Sequence, residues 1–181
     1  TNELLATYLD KIEHAVIPGF YGAMKNGTVV TFSRGGSDIT GSLVAKAINA
    51  NLYENWTDVS GVLSADPRII EHPHVIDYIT YRELRELSYM GASVLHEDAV
   101  FPVRRANIPI NIRNTNRPSD PGTFIVPSLP SNAHKRIVTG IAGHKGFSSV
   151  YVEKSMMNGE IGFVAKLLQI FAEHGISFEH C

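Results

Sequence analysis

The chain has 181 residues, 44% of them hydrophobic, and a formal net charge of -2. That length and composition suit one ordinary domain plus a piece of another and exclude wholesale disorder. The charge leaves no basic footprint for nucleic acid, and no apolar run approaches the roughly 20 residues of a membrane helix. The opening TNELLATYLD is polar and does not read as a signal peptide. A single cysteine, Cys181, excludes a disulfide framework and points to a reducing cytoplasm. There is no initiator Met, and the chain stops inside HGISFEHC, so a fragment of a longer polypeptide is expected.

Residues 2–14 space Leu4, Leu5, Tyr8, Leu9 and Ile12 at helical intervals. AVIPGFYG (15–22) reads as a short strand broken at Pro18-Gly19. Lys25-Asn26-Gly27 is a turn signal, and Thr28 to Phe32 is β-branched and strand-like. Ser37 is the expected N-cap of a helix running to about Ala50. NLYENWTDVSG (51–61) predicts a strand and a turn. ITYRELRELSYMG (79–91) predicts a helix with Thr80 as N-cap, Glu83 completing a capping box and Gly91 as its stop. A helix disturbed by Pro102 follows over 97–107, then strands over 108–114 and 122–126.

Strands alternating with helices predict α/β layers around a largely parallel sheet. PSLPSNAHK (127–135) reads as a linker between residues 1–126 and a smaller α+β unit over 136–181. In that unit 136–154 predicts a strand or hairpin, 159–175 an amphipathic helix and 176–180 the start of another strand.

Two clusters carry chemistry. Arg34-Gly35-Gly36-Ser37-Asp38 sits where a strand turns into a helix. Ligands gather at such turns. Glycines let the backbone approach closely, helix-start N–H groups attract anions, and Arg34 offers a fork of donors for carboxylate or phosphate. The same five residues also suit a tight turn with nothing bound. WTDVSGVLSADPR (56–68) again follows a strand. There Arg68 suits a phosphate, and Asp58 a ribose, a base or a magnesium hydration shell; a polar loop of Asx turns is the plain alternative. His72 and His74 in EHPH lack a third ligand at useful spacing and read as solvated, so no metal-ligand set is assigned. His96 reads as a loop-ordering hydrogen-bonder.

Joined to VIPGFYG (16–22), GASVLHEDAVFPVRRANIPINIRNT (91–115) and PGTFIV (121–126), the two clusters closely resemble aspartate kinases of the amino-acid-kinase family. MNGEIGFVAKLLQIFAEHGISFEH (157–180) is similar to the first strand-helix-strand part of the ACT regulatory domain behind the catalytic domain of those enzymes. The resemblance implies a three-layer α/β/α half-domain, mostly parallel, followed by a partial ferredoxin-like unit. It implies transfer of a phosphoryl group from Mg²⁺-ATP to the side-chain carboxylate of L-aspartate, the first step towards lysine, threonine and methionine.

By that resemblance Arg34, Gly35, Gly36, Ser37 and Asp38 form the aspartate site. Thr57, Asp58, Leu63, Arg68, Ser93 and Val94 fall on nucleotide positions. Met157, Gly162, Phe163 and Val164 would receive a feedback amino acid, lysine or threonine, in a homo-oligomer paired through ACT units. The resemblance departs in three places. The family's lysine-glycine-glycine-threonine-serine segment is absent, Leu63 stands where many members have tyrosine, and Ser93 replaces a common lysine. A non-catalytic polypeptide that binds an amino acid or a partner through the ACT-like tail is the other class of reading. An acetylglutamate-type sibling kinase is a third, which the two clusters and the tail argue against. A sheet cut along a strand would expose an edge and apolar surface, which predicts dimerisation or marginal stability.

Overall fold

The computed structural model describes residues 2–91, 95, 97–131, 133 and 136–181. The chain divides into two compact units, one ending at Lys145 and the other running from Gly146 to Cys181.

Unit 1 opens with helix α1 (Asn2–Leu9) and an antiparallel hairpin of β1 (Tyr21–Ala23) and β2 (Val29–Thr31). Its turn is the expected one: Gly27 has φ 85°, a conformation that costs glycine little. Helix α2 (Gly36–Ala47) leads to β3 (Tyr53–Thr57). After a long loop come β4 (Tyr78–Thr80) and α3 (Tyr81–Tyr89), then α4 (Glu97–Arg105), β5 (Ile110–Asn114) and β6 (Thr123–Val126).

The main sheet has the order β3-β5-β6-β4. β3 runs parallel to β5 with Thr57 opposite Asn114, and β4 runs parallel to β6 with Thr80 opposite Val126. The central pair β5–β6 is antiparallel, with Ile110 opposite Ile125. The fold is thus mixed α/β with a mostly parallel sheet, as the sequence predicts.

The core follows from this sheet. Ile79, Ile110, Ile112 and Ile125 are fully buried, each such burial being worth roughly 1.5–3 kcal/mol. Ala99 and Val103 from α4, Ala45 from α2, and Tyr81 and Leu84 from α3 close over them. Pro102 lies inside α4, yet the helix runs unbroken through it to Arg105. The capping box of α3 forms in full: Thr80 accepts from the Glu83 backbone while the Glu83 carboxylate accepts from the Thr80 backbone.

Three expectations are corrected. Ser37 does not cap α2. Gly35 does, in the left-handed conformation (φ 60°, ψ 23°), and the helix has already begun at Gly36. Gly36 is buried, and a Cβ there would lie 2.8 Å from Phe20 Cα. Two successive glycines let the chain turn two residues earlier than a Ser37 cap would. Residues 136–154 form neither strand nor hairpin, and 176–180 form no strand. A strand is held by ladder hydrogen bonds to a neighbour, and none of the described residues pairs with either segment.

Unit 2 contains a 3₁₀ turn (Met157–Gly159) and helix α5 (Phe163–Glu173), which starts after Gly162 in the left-handed conformation. Lys154 and Lys166 both pair with Glu160 ahead of α5 and hold its carboxyl well down, at about 2.

Candidate functional site

The site begins at the turn from β2 into α2. Gly19 and Gly36 bring the segment before β1 against the helix start; a Cβ on Gly19 would lie 3.2 Å from Ser37 Cα. Thr40 ties the two together, donating to Gly36 O (2.8 Å) and accepting from Phe20 N (3.2 Å). Arg34 and Ser37 are left exposed on the outer side of the turn. The helix start carries no side-chain cap, so its first N–H groups keep their capacity for an anion.

Asp38, in the first turn of α2, faces β3. Asn55 Nδ2 donates to Asp38 Oδ1 (2.9 Å) and to Tyr53 Oη (3.0 Å), and Tyr53 Oη donates to Asp38 O (3.2 Å). One turn on, a Cβ on Gly41 would lie 2.8 Å from Tyr53 Oη. Passing along α2 from Asp38 to Gly41 therefore means passing back along β3 from Asn55 to Tyr53. The helix start lies over the carboxyl end of the strand, and the Arg34–Asp38 turn shares that end with Thr57 and Asp58. Burial pushes the Tyr53 hydroxyl up; the hydrogen bond from Asn55 opposes this and the nearby Asp38 charge adds to it.

Thr57 is half-buried and Asp58 exposed. Thr57 Oγ1 lies 3.2 Å from Asp58 Oδ1, and Thr115 at the end of the neighbouring strand donates through both N and Oγ1 to Thr57 O at 2.8 Å. Beyond them the loop is held from below. Ser60 Oγ donates to Asp120 Oδ2 (2.6 Å) and accepts from Asn114 Nδ2 (2.9 Å). Gly61 has φ 118°, and a Cβ on it would lie 2.4 Å from Thr123 Oγ1. That hydroxyl bridges Val62 N (2.8 Å) and Ile76 O (2.6 Å).

The loop then lines a cleft of about 360 Å³. Leu63, Asp66 and Arg68 stand on one side, Met90 and Gly91 at the end of α3, and Ile141 to His144 on another side. Asp66 grips Arg68: Nε donates to Oδ1 and Oδ2 at 3.0 and 3.1 Å, and Nη2 to Oδ2 at 2.6 Å. With the Arg68 backbone N–H also donating, the Asp66 carboxyl is held at about 2. The grip aims a guanidinium at the rim of the cleft.

The two clusters are thus brought to one end of β3, with Leu63 and Arg68 in the cleft beside it. Ser93, Val94 and His96 lie outside the described residues. In unit 2, Met157, Gly162, Phe163 and Val164 all line one open hollow of about 530 Å³. Among the described residues no group of three His, Cys, Asp or Glu could hold a metal ion; His74 Nδ1 lies 3.1 Å from Ser64 Oγ instead. The sequence reading missed Asn55, Asn114, Asp120 and Thr123. Polar residues inside apolar strands, as in INIRN and GTFIV, were the signal available for Asn114 and Thr123; Asn55 lies in the more polar LYENW, and Asp120 in the loop between β5 and β6.

The amino acid kinase family matches residues 1–114, and the chain belongs to that family. Aspartokinase 3 of Bacillus subtilis is 52% identical over 165 residues, covering 91% of this chain and 36% of that protein. The crystal structure of Clostridium acetobutylicum aspartate kinase superposes with a TM-score of 0.82 at 54% identity, over 99% of this chain and 41% of that one. Escherichia coli aspartokinase III in complex with aspartate and ADP (R-state) superposes with a TM-score of 0.64 at 30% identity, over 90% of this chain and 36% of that one. The chain thus spans little more than a third of the length of these relatives.

Proposed function

We propose that this chain is the nucleotide-side part of an aspartate kinase, which transfers a phosphoryl group from ATP to the side-chain carboxylate of L-aspartate to give 4-phospho-L-aspartate. The observation that carries the reading is the convergence of the Arg34–Asp38 turn and the Asp58–Arg68 loop at one end of β3. The uncapped start of α2 and the exposed Arg34 suit a substrate carboxylate. Arg68, held by Asp66 at the rim of a cleft of about 360 Å³, suits nucleotide phosphates. That Escherichia coli aspartokinase III is solved in complex with aspartate and ADP supports a protein that takes both ligands.

The donor set fits Mg²⁺ held mainly through phosphates. Asp58 offers one exposed carboxylate beside the Thr57 hydroxyl, and the described residues contain no dedicated cage. Bound Mg²⁺ neutralises phosphate charge. The chain's own residues position: α2 and Arg34 hold a carboxylate of the substrate, the Asp66–Arg68 pair fixes the phosphate end, and Gly61 with Thr123 shapes the floor. Phosphoryl transfer draws most of its acceleration from such positioning and charge stabilisation.

Unit 2 is the start of an ACT-like regulatory unit, in this reading, and its hollow around Met157, Gly162, Phe163 and Val164 takes a feedback amino acid, lysine or threonine. That Escherichia coli aspartokinase III is also solved in complex with lysine and aspartate (T-state) supports an amino-acid effector. The enzyme works in the cytoplasm as a homo-oligomer. No helix among the described residues is long and apolar enough to cross a membrane.

The test is a calorimetric titration with Mg-ATP and with L-aspartate, repeated on Asp58→Ala and Arg34→Ala. Weaker Mg-ATP binding in the first variant and weaker aspartate binding in the second are expected. Unchanged binding of both ligands in both variants would overturn the site assignment.

A further inference from the structure

Residues 139–144, near the end of unit 1, run along α3. At the start of α3, Thr139 Oγ1 donates to Glu83 Oε1 (2.6 Å). The other oxygen of that carboxylate, Oε2, accepts from Thr80 N (2.8 Å) and Thr80 Oγ1 (2.6 Å). One turn further along the helix, a Cβ on Gly140 would lie 3.2 Å from Leu87 Cδ1 and 3.2 Å from Ser64 O. Ile141 N donates to Ser64 O (2.8 Å). At the end of α3, Ile141 to His144 share the walls of the cleft with Met90 and Gly91. Gly146, the first residue of unit 2, comes two residues later.

We propose that residues 139–144 are a strap that forms one wall of the nucleotide cleft, and that Thr139 and Glu83 are its fastening. Both are positioning residues: they act on the ligand through the placement of Ile141 to His144. Glu83 uses its two oxygens separately, one to cap α3 and one to hold the strap, so the helix start and the cleft wall share a carboxylate. Gly140 is the residue that lets the strap lie flat between Leu87 and Ser64. The strap's part in ligand affinity rests on the nucleotide reading given above; its fastening does not.

The experiment uses Thr139→Val, which removes the hydroxyl at nearly constant shape and leaves the Thr80–Glu83 box intact, and Thr139→Ser, which restores the hydroxyl. Two readouts are taken on the intact protein that carries this chain: amide hydrogen exchange without ligand, and calorimetric Mg-ATP titration. In Thr139→Val the Ile141 amide is expected to exchange roughly two- to tenfold faster, the range to which one net hydrogen bond converts. The Ser64 amide, bonded to His74 O (2.9 Å), keeps its rate and shows that the loop is still folded. The Kd for Mg-ATP rises roughly two- to tenfold by the same conversion, and Thr139→Ser reverses both changes.

Unchanged Ile141 exchange in Thr139→Val would overturn the fastening. Faster exchange with an unchanged Kd, in a protein that binds Mg-ATP, would overturn the strap as a wall of the ligand cleft. A wild-type protein that binds no Mg-ATP overturns the nucleotide reading, and the exchange rates then decide the fastening by themselves.

Discussion

The carboxylate of Asp38 accepts a 2.9 Å hydrogen bond from the side chain of Asn55, joining the first turn of α2 to the middle of β3. Asn55 is 8% exposed, and its amide divides itself between Asp38 and the Tyr53 hydroxyl. Asp38→Ala therefore leaves a buried donor short of an acceptor, and a loss of about 1–3 kcal/mol is expected in urea unfolding. In Asn55→Ala the loss has the same origin, so the double variant loses less than the sum of the two. Additive losses would show that the pair does not couple helix to strand.

The two ligands are expected to separate in mutagenesis. In the proposed kinase, Arg34→Ala removes charge-assisted donors from the aspartate side and is expected to raise the KM for aspartate by roughly ten- to a hundredfold. Arg34→Lys recovers little, because an ammonium cannot reproduce the fork. Arg68→Ala raises the KM for Mg-ATP instead. Steady-state kinetics with each substrate varied in turn checks the separation.

Alkaline pH is expected to loosen unit 1. Burial pushes up the hydroxyls of both Tyr53 and Tyr81, the latter donating to Ile108 O, with Arg104 opposing the rise at Tyr81. A value raised by folding means that the neutral phenol is favoured in the native state. Its contribution is complete below the ordinary tyrosine value of about 10 and is lost as pH rises through the folded-state value. The urea midpoint should therefore fall above roughly pH 10, and the fall should be shallower in Tyr81→Phe. An equally steep fall in that variant would remove Tyr81 from the account.

Gly61→Ala faces two obstacles at once, a φ of 118° and a Thr123 oxygen 2.4 Å from the new carbon. A loss on the order of 3 kcal/mol or more is expected, since the nearest atom belongs to a hydroxyl with two buried partners. Shortening the obstacle with Thr123→Ala in the Gly61→Ala background relieves the clash and leaves Val62 N and Ile76 O unpaired. The double variant should then be no less stable than Gly61→Ala by thermal melting, although Thr123→Ala alone is destabilising.

Much of this was legible in local sequence. Thr80 and Glu83 announced a capping box because the motif acts over three residues. β5 and β6 showed through their apolar runs, and Lys25-Asn26-Gly27 through its turn chemistry. The errors came where the cause lies elsewhere in the chain. Ser37 looked like the N-cap, but Phe20 crowds position 36 and the glycine pair turns the backbone first. Residues 136–154 have strand composition, yet a strand is made by its neighbour, and Thr139 and Ile141 spend their hydrogen bonds on Glu83 and Ser64. Asn114, Asp120 and Thr123 gain their roles only when the ends of β3, β5 and β6 meet.

The antiparallel pairing of β5 with β6 turns half of the sheet end for end. β3 finishes beside Asp58, whereas β4 finishes at Thr80, and α3 has to run back for nine residues before Met90 and Gly91 reach the cleft. That helix is a ruler about 13 Å long. Six residues from Thr139 to His144 cover it, with a maximum reach of about 20 Å. Inserting a residue into α3 would rotate its far end by about 100° and carry it about 1.5 Å further, while the fastening at Glu83 stayed in place. The strap has length to spare, so what an insertion in α3 would upset is the helical phase that sets Glu83 under Thr139 at one end and Met90 and Gly91 at the cleft at the other.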